Sequence, residues 1–202
     1  MKFFTMSYDD SMIEDIEFVN LLNKYHIKAT FNINTGLYNW KKERHCQIDV
    51  QTKIYSGHEV AVHTFLHKHL EELADNEIYD EIKKDKDNIE KTFGVIPVGM
   101  AYPFGTYNDK VIKIAKKLNI KYARTIVSTH DFRVCKNPMK LSTTCHHNDP
   151  NLMMYANEFI ELDGSNRDYV FFVWGHSYEF DEENNCIDNY KKVALECIVV
   201  NI

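Results

Sequence analysis

The sequence lacks the features that mark membrane proteins and nucleic-acid-binding proteins. No apolar run approaches the roughly 20 residues that a helix needs to span a bilayer. Lys and Arg number 24 against 30 Asp and Glu, and the formal net charge is −6. Nucleic acids and anionic membranes bind surfaces with an excess of positive charge, so neither is expected as a partner. The stretch before Asp9 is too short for a signal peptide, which makes the cytoplasm the expected location.

Paired cysteines are also lacking. The five cysteines, at positions 46, 135, 145, 186 and 197, are odd in number and include no Cys-x-x-Cys pair. This pattern excludes a disulfide framework and indicates free thiols in a reducing compartment. Low-complexity tracts, internal repeats and interdomain linkers are absent as well. The sequence therefore predicts a single domain over residues 1–202 and leaves its oligomeric state open.

What the sequence does contain is an alternation of strand and helix patterns. Ser11 and Glu14 have the spacing of a capping box, which predicts a helix that runs to about Tyr25. Apolar residues at helical spacing predict further helices over 75–93, 109–118 and 151–162. Runs rich in β-branched and aromatic residues predict strands over 2–7, 29–33, 59–62, 98–102, 122–127, 140–144 and 169–174.

The order of these elements indicates a parallel sheet. Strands that alternate with helices favour right-handed βαβ crossovers. Such a sheet can close into a barrel, but 202 residues fall short of the roughly 250 that a regular eightfold barrel uses. The predicted fold class is therefore α/β, a single-domain deformed (β/α) barrel with about seven strands. In a barrel or an open sheet of this kind, active residues lie just past the carboxyl ends of the strands.

The chemically distinctive residues all follow predicted strands. Asp9 and Asp10 follow the first strand, His63 and His67 follow the third, and His176 follows the last. The turn 103–105 follows the fourth strand. We therefore expect these residues to gather at one end of the sheet.

His63 and His67 have the spacing of a metal-ligand pair. They are four residues apart, so a helix that began at Thr64 would project both imidazoles from one face. Neutral imidazole is the commonest ligand of zinc and similar metals, and a carboxylate of Asp9 or Asp10 would complete a site with an open position for water. The other aspartate would then be a general base. Two solvated histidines and an Asp-Asp turn or helix cap are the alternatives.

His176 and the turn 102–105 are further candidates. Burial and neighbouring charges would set the pKa of His176 for protonating a leaving group, whereas the alternative is a core-edge histidine bonded to backbone. The Phe104 N–H would donate to an oxyanion. The rings of Tyr102, Phe104 and Trp174 would each offer a face to a sugar, or would simply belong to the core.

Together these motifs resemble those of the polysaccharide deacetylases, carbohydrate esterases that share a chitooligosaccharide-deacetylase-like domain. Residues 7–11, Ser-Tyr-Asp-Asp-Ser, resemble the family's Thr-Phe-Asp-Asp-Gly motif. Residues 57–67 end in the His-Thr-x-x-His form of its second motif, and residues 101–105 are similar to its third. Residues 174–176 are similar to its closing apolar-x-His motif. The resemblance runs to about residue 180, nearly the whole chain.

The resemblance implies a role for each of these residues. Asp9 is the implied catalytic base, and His176 is the implied catalytic acid. Asp10, His63 and His67 are the implied ligands of one divalent metal, with zinc expected and cobalt or nickel as substitutes. The implied fold is a deformed (β/α) barrel. The implied activity is removal of N-acetyl groups from an amino-sugar poly- or oligosaccharide.

With a carbohydrate as the implied substrate, the aromatic residues Tyr102, Phe104 and Trp174 are the ones expected to contact it. Residues 144–149, Thr-Cys-His-His-Asn-Asp, fit a pattern found in a subgroup of such deacetylases. In that interpretation His147 also lines the pocket, whereas a simple surface loop is the alternative.

The sequence departs from the family in three places. Ala101 stands where many members carry an arginine that orients the base, with Arg124 and Arg133 as candidate replacements. The acidic motif that holds the catalytic histidine is not recognisable, and Asp131 is the candidate for it. Residues after about 185 match the family poorly. A small-molecule amidohydrolase with the same metal site and a catalytically silent carbohydrate-binding module therefore stay as alternatives.

Overall fold

The fold is a run of alternating strands and helices. The computed structural model describes residues 1–37, 45 and 52–180, so the atypical segment after about 185 lies outside the described residues. Within them the strands are β1 (Lys2–Asp9), β2 (Thr30–Ile33), β3 (Glu59–Val62), β4 (Gly99–Ala101), β5 (Tyr122–Ser128), β6 (Leu141–Thr143), β7 (Cys145–His146) and β8 (Tyr169–His176). The α-helices are α1 (Asp15–Lys24), α2 (Asp75–Phe93), α3 (Asp109–Lys117) and α4 (Leu152–Glu161).

The described strands form one parallel sheet in the order β6-β5-β4-β3-β2-β1-β8-β7. Every pairing within it is parallel. β1 to β5 follow the order of the chain, which is the arrangement that successive βαβ units produce. β1 also pairs along its whole length with β8. The predicted α/β class and parallel sheet are confirmed.

The two ends of this sheet are parts of one short segment, residues 141–146. Its first half, β6, pairs with β5, and its second half, β7, pairs with β8. Thr144 stands between them and donates its N–H to Phe172 O at 2.7 Å. The sheet therefore closes on itself through this segment. Since β6 and β7 continue one another, they correspond to the single strand predicted over 140–144, and the predicted deformed barrel of about seven strands is confirmed.

The helices cover the barrel with apolar faces. On α2, Ile78, Ile82 and Ile89 recur at helical spacing and are fully buried. α2 has the predicted bounds, and Gly94 ends it with a positive φ of 69°, which glycine adopts without strain. Among the described residues, no helix combines the length and apolar composition that crossing a membrane requires.

One local prediction is wrong and one assumed helix is absent, and both concern the chain just after a strand. The capping box at Ser11 does not form, because Asp10 and Ser11 have positive φ values of 76° and 49° and α1 begins at Asp15. No helix begins at Thr64, since Thr64 and His67 have φ values of 68° and 51° and the chain there is an irregular loop. We call residues 63–67 the histidine loop. Non-glycine residues with positive φ are uncommon and persist where surrounding structure imposes them.

Gly36 approaches the histidine loop too closely to carry a side chain. Its N–H donates to Phe65 O at 2.9 Å, and a Cβ on Gly36 would lie 2.3 Å from the same oxygen. We expect Gly36→Ala to lower the free energy of unfolding by about 1–3 kcal/mol, because the backbone must shift to relieve the overlap. Urea unfolding followed by circular dichroism measures the loss. Gly164→Ala is the control, since its Cβ would meet nothing closer than 3.2 Å, and an equal loss there would contradict the explanation.

Candidate active site

The carboxyl ends of the strands bring the five implied catalytic and metal-binding residues to one mouth of the barrel. Asp9 and His176 end β1 and β8 and are register partners. Asp10 follows β1, and His63 follows β3. His63 Nε2 lies 3.9 Å from Asp9 Oδ2, and His176 Nε2 lies 3.9 Å from Asp10 Oδ2. With His67 at the end of the histidine loop, all five side chains stand together.

Asp10, His63 and His67 form a compact group of donor atoms. Nε2 of His63 and Nε2 of His67 each lie 3.5 Å from Asp10 Oδ1, and the three atoms lie within 4.8 Å of one another. These separations exceed a hydrogen bond. Two ligands of one tetrahedral ion, each about 2.1 Å from it, stand about 3.4 Å apart. The group therefore has the spacing of ligands around a single ion.

The protonation of the two imidazoles suits the same role. His63 Nδ1 lies 2.9 Å from Ala101 O, which only accepts, so Nδ1 carries a proton and Nε2 is the nitrogen that faces Asp10. Burial, followed by the neighbouring His63, lowers the pKa of His67 to about 4. His67 is therefore neutral at physiological pH, which is the form of imidazole that binds metals.

Asp9 is buried beside this group and faces a cation. Its Oδ1 accepts from Asn32 Nδ2 at 2.8 Å, and its Oδ2 pairs with the guanidinium of Arg124. Burial raises the pKa of Asp9, but the charge of Arg124, followed by those of His63 and His176, outweighs burial and brings the pKa down to about 2. Asp9 is therefore ionised at neutral pH.

Arg124 is the candidate replacement for the arginine missing at Ala101 that faces Asp9. Ala101 and Arg124 are register partners on β4 and β5, so the guanidinium comes from the neighbouring strand at the same level of the barrel. Its Nε donates to Ser7 Oγ at 3.0 Å, and its guanidinium carbon lies 4.8 Å from the centre of the Trp174 ring. Arg133, the other candidate, forms an exposed ion pair elsewhere.

The acidic partner of His176 is Glu179, which the sequence analysis missed. His176 Nδ1 lies 3.0 Å from Glu179 Oε2, and the His176 N–H donates to the same oxygen at 2.9 Å. Burial lowers the pKa of His176, but the hydrogen bond to Glu179 and the charges of Asp9 and Asp10 outweigh burial and raise the pKa. The prediction of Asp131 is wrong, because that carboxylate pairs with an exposed arginine. Glu179 carries no motif beyond its position three residues after the histidine.

His146 and His147 both contact the carboxylate of Glu179. His146 Nδ1 accepts from the Asn148 N–H at 3.1 Å, so its Nε2 carries a proton towards Glu179 Oε2, 3.3 Å away. His147 Nε2 lies 3.0 Å from the same oxygen, and its Nδ1 lies 3.1 Å from the Tyr8 hydroxyl. His147 is only 2% exposed, so it is buried against Glu179 and does not lie on an open pocket wall.

The aromatic residues predicted to face the substrate occupy different positions. Tyr102 is 1% exposed and its hydroxyl donates to Met139 O at 3.0 Å, so it belongs to the core and is not a surface for a sugar. Trp174 is partly buried within the barrel. Phe104 is 47% exposed and stacks on the His69 ring with 3.8 Å between centroids. Of these three residues, Phe104 has the most exposed ring.

Comparison with known proteins connects this geometry to one family. The family model for polysaccharide deacetylase matches residues 2–123, more than half of the chain. The matched span carries the three donor residues, Asp10, His63 and His67, together with Asp9. This chain belongs to the polysaccharide deacetylase family.

Individual relatives show the same likeness. Chitin deacetylase 1 of Cryptococcus neoformans var. grubii is 29% identical over 116 residues, 57% of this chain and 24% of that protein. The structure of Streptococcus pyogenes deacetylase PplD in complex with acetate has a TM-score of 0.63 at 29% identity, over 67% of this chain and 61% of that one. The family 4 carbohydrate esterase from Streptomyces lividans in complex with acetate shares the fold, with a TM-score of 0.64 at 16% identity over 96% of this chain and 86% of that one. The chain spans about a third or less of the length of the curated relatives it matches.

Arg124→Met should destabilise the protein, because it leaves Asp9 buried without its cation. Removing one partner of a buried ion pair lowers the unfolding free energy by about 3–5 kcal/mol. The pKa of folded Asp9, about 2, lies below its ordinary value of 3.8. Asp9 therefore contributes stability above about pH 4 that disappears as the pH falls towards about 2. The deficit of the variant should be largest at neutral pH and should shrink through this acid range, as urea unfolding at several pH values measures.

Arg133→Met is the matched control for this prediction. It makes the same side-chain change at an exposed ion pair and should alter stability little at any pH. A deficit of Arg124→Met that did not depend on pH would contradict the role assigned to the charge of Asp9.

Proposed function

We propose that this protein is a metal-dependent hydrolase that removes N-acetyl groups from an amino-sugar poly- or oligosaccharide. The observation that carries the proposal is the donor group of Asp10, His63 and His67 between an ionised Asp9 and a His176 whose pKa is raised. Hydrolysis of an amide needs a base for the attacking water and an acid for the departing nitrogen, and this site offers one of each. Membership of the deacetylase family supports the same activity.

Asp10, His63 and His67 would hold one divalent ion, with zinc expected and cobalt or nickel as substitutes. A carboxylate and two imidazole nitrogens are the donor types that zinc takes at a catalytic site with one open position. The spacing of the three donor atoms and the neutral His67 fit this role. When bound, such an ion supplies Lewis-acid polarisation of the amide carbonyl and acidifies water.

Asp9 is the proposed general base. It is ionised, and its Oδ2 lies at the edge of the donor group, where it accepts a proton from the attacking water. Arg124 holds one carboxylate oxygen of Asp9 and Asn32 holds the other, so the base is oriented before the substrate arrives. Orientation of this kind is a large part of what a catalytic site contributes.

His176 is the proposed general acid. Because Glu179 engages Nδ1, the opposite nitrogen, Nε2, is the one that gives its proton to the leaving amine. The raised pKa keeps that proton available closer to neutral pH. In the preceding step, when water attacks the carbonyl, the Phe104 N–H donates to the oxyanion that forms, a kind of contribution worth about 3–4 kcal/mol where it has been measured.

An N-acetylated carbohydrate is the proposed substrate. The name of one relative, chitin deacetylase, supports a carbohydrate. The exposed Phe104 ring, which stacks on His69, forms a flat apolar face at the mouth of the barrel on which a sugar ring can stack. Trp174 lies deeper, beside Arg124, and is the proposed contact for the acyl end of the substrate.

The position of Arg124 favours an active enzyme over a silent carbohydrate-binding module. A silent module is favoured by the missing arginine at Ala101 and by the atypical C-terminal segment. Arg124 answers the first of these two points, because it reaches Asp9 from the next strand. A small-molecule amidohydrolase would use the same residues and would differ in its substrate alone. The two proposals are therefore separated by which substrates release acetate.

The deciding experiment is acetate release from N-acetylglucosamine oligosaccharides. We expect activity that disappears on chelation and returns with zinc or cobalt. Asp9→Asn should retain about one equivalent of metal yet lose about 10²–10⁴ in rate, because it removes the base and not a ligand. His63→Ala combined with His67→Ala should lose the metal itself.

Three results would redirect the proposal. Loss of metal from Asp9→Asn would make Asp9 a ligand. Acetate release from small N-acetyl amides but not from oligosaccharides would favour the small-molecule amidohydrolase. Oligosaccharide binding without any acetate release would favour the silent module.

His176→Ala should impair amide hydrolysis more than hydrolysis of an aryl acetate. An amine must be protonated as it leaves, whereas an activated phenolate departs unaided, and general-acid help is typically worth about 10²–10⁴ in rate. The measurement is the rate on an N-acetylated sugar and on an aryl acetate for each variant. His146→Ala is the comparison, since His146 touches Glu179 but does not face Asp10. Equal loss on both substrates would assign His176 to binding or structure instead.

A further inference from the structure

The histidine loop has a conformation that its own sequence does not favour. Thr64 and His67 have positive φ values of 68° and 51°. The left-handed region costs a residue with a side chain roughly 1–2 kcal/mol, and a β-branched residue such as Thr64 is rare there. Contacts from outside the loop must therefore hold it in the arrangement that brings His63 and His67 to Asp10.

Two carboxylates on α2 hold the backbone of this loop. Asp85 Oδ2 accepts at 3.0 Å from the His63 N–H, which it shares with Ile33 O at 3.0 Å. Glu81 Oε2 accepts from the Leu66 N–H at 2.7 Å. Glu81 and Asp85 are four residues apart, so they stand on one face of the helix, and both are buried. The main-chain oxygen of Glu81 also accepts from the Phe65 N–H at 3.0 Å. The loop is thus tied to α2 at its first residue and again at Phe65 and Leu66.

The surroundings of Asp85 demand an acceptor at both of its oxygens. Oδ1 accepts from the Thr35 N–H and from the Thr35 hydroxyl, both at 2.7 Å. The Thr35 hydroxyl itself accepts from Asn88 Nδ2 at 3.0 Å, so its own proton is directed at Asp85. With the N–H of His63, three donors face this carboxylate. An asparagine here would turn its NH₂ group towards one of them and lose that hydrogen bond.

We propose that Asp85 and Glu81 are positioning residues of the metal site, which hold the histidine loop so that His63 and His67 converge on Asp10. The inference rests on the proposed metal site and goes beyond it, because neither carboxylate belongs to the donor group. They act through the loop backbone and not by binding the ion. Substitution of outer residues that orient metal ligands typically changes metal affinity by about 10–100-fold.

The test is the affinity of the folded, metal-free protein for Co²⁺, measured by competition with a chromophoric chelator. Asp85→Asn should weaken binding by about 10–100-fold and change the visible absorption bands of bound Co²⁺, because the ligands lose their fixed geometry. A role in folding alone would lower the unfolding temperature and leave both the Kd and the spectrum unchanged. Asp87→Asn is the matched control, with the same substitution on the same helix at an exposed pair with Lys83, and it should bind as the wild type does.

Glu81→Ala is a second variant that tests the same proposal. It removes the acceptor of the Leu66 N–H and should weaken Co²⁺ binding by less than Asp85→Asn does, since Leu66 is 39% exposed and water can replace the lost acceptor. If Asp85→Asn does not fold, Glu81→Ala decides.

The outcomes separate this inference from the metal site itself. The deciding variant is Asp85→Asn, or Glu81→Ala if Asp85→Asn does not fold. If the wild type binds Co²⁺ and this variant binds it as tightly as Asp87→Asn does, the inference is overturned and the proposed metal site stands. If the wild type binds no Co²⁺, the proposed metal site fails and the inference fails with it.

Discussion

The ion pair between Asp9 and Arg124 joins opposite walls of the barrel, and the candidate site depends on it. Three strands separate β1 from β5 in the sheet, which in a flat sheet would place them about 19 Å apart at about 4.8 Å per strand. The two side chains meet because the sheet curls and closes through residues 141–146. Burial by itself would raise the pKa of Asp9, and the guanidinium of Arg124 is the largest influence that lowers it. With this ion pair, Asp9 is an oriented carboxylate beside a group of metal-type donors.

At this mouth of the barrel the pKa of His67 is lowered and the pKa of His176 is raised. Burial lowers the pKa of both His67 and His176, but only His176 has a carboxylate, Glu179, bonded to its second nitrogen. His67 is consequently neutral and suited to bind a metal, whereas His176 holds a proton more readily and is suited to deliver it. Neighbours that push the pKa values of similar groups apart are how one site divides acid, base and ligand roles among like residues.

Strain is concentrated where these roles are assembled. Asp10, Ser11, Thr64, His67 and Phe104 all have positive φ, and all lie just after a strand of the barrel or in the loop that follows one. Such conformations persist only where the rest of the structure imposes them. For the histidine loop the imposing groups are identifiable, since Asp85 and Glu81 accept its backbone N–H groups. Contacts from the barrel and α2 thus offset the free-energy cost of these backbone conformations.

The sequence by itself determined the features that depend on local pattern. Asp9, Asp10, His63, His67 and His176 could be singled out because each follows a strand with a clear apolar pattern. α2 could be bounded to the residue because its apolar spacing and its Gly94 stop are local signals. Only the tertiary structure decided the rest. Ser11 does not cap a helix and Thr64 does not begin one, because contacts from other elements override local propensity there.

The partners of the two catalytic candidates were decided in the same way. Arg124 reaches Asp9 from 115 residues away, a pairing that barrel closure and strand register create and that no spacing along the chain reveals. Glu179 holds His176 from a turn that carries no motif, and Tyr102 lies in the core although its motif pointed to the mouth. Strand ends can be read along the chain because alternation and glycine stops are local. Which side chains face one another across the barrel follows from its curvature, which is a property of the whole sheet.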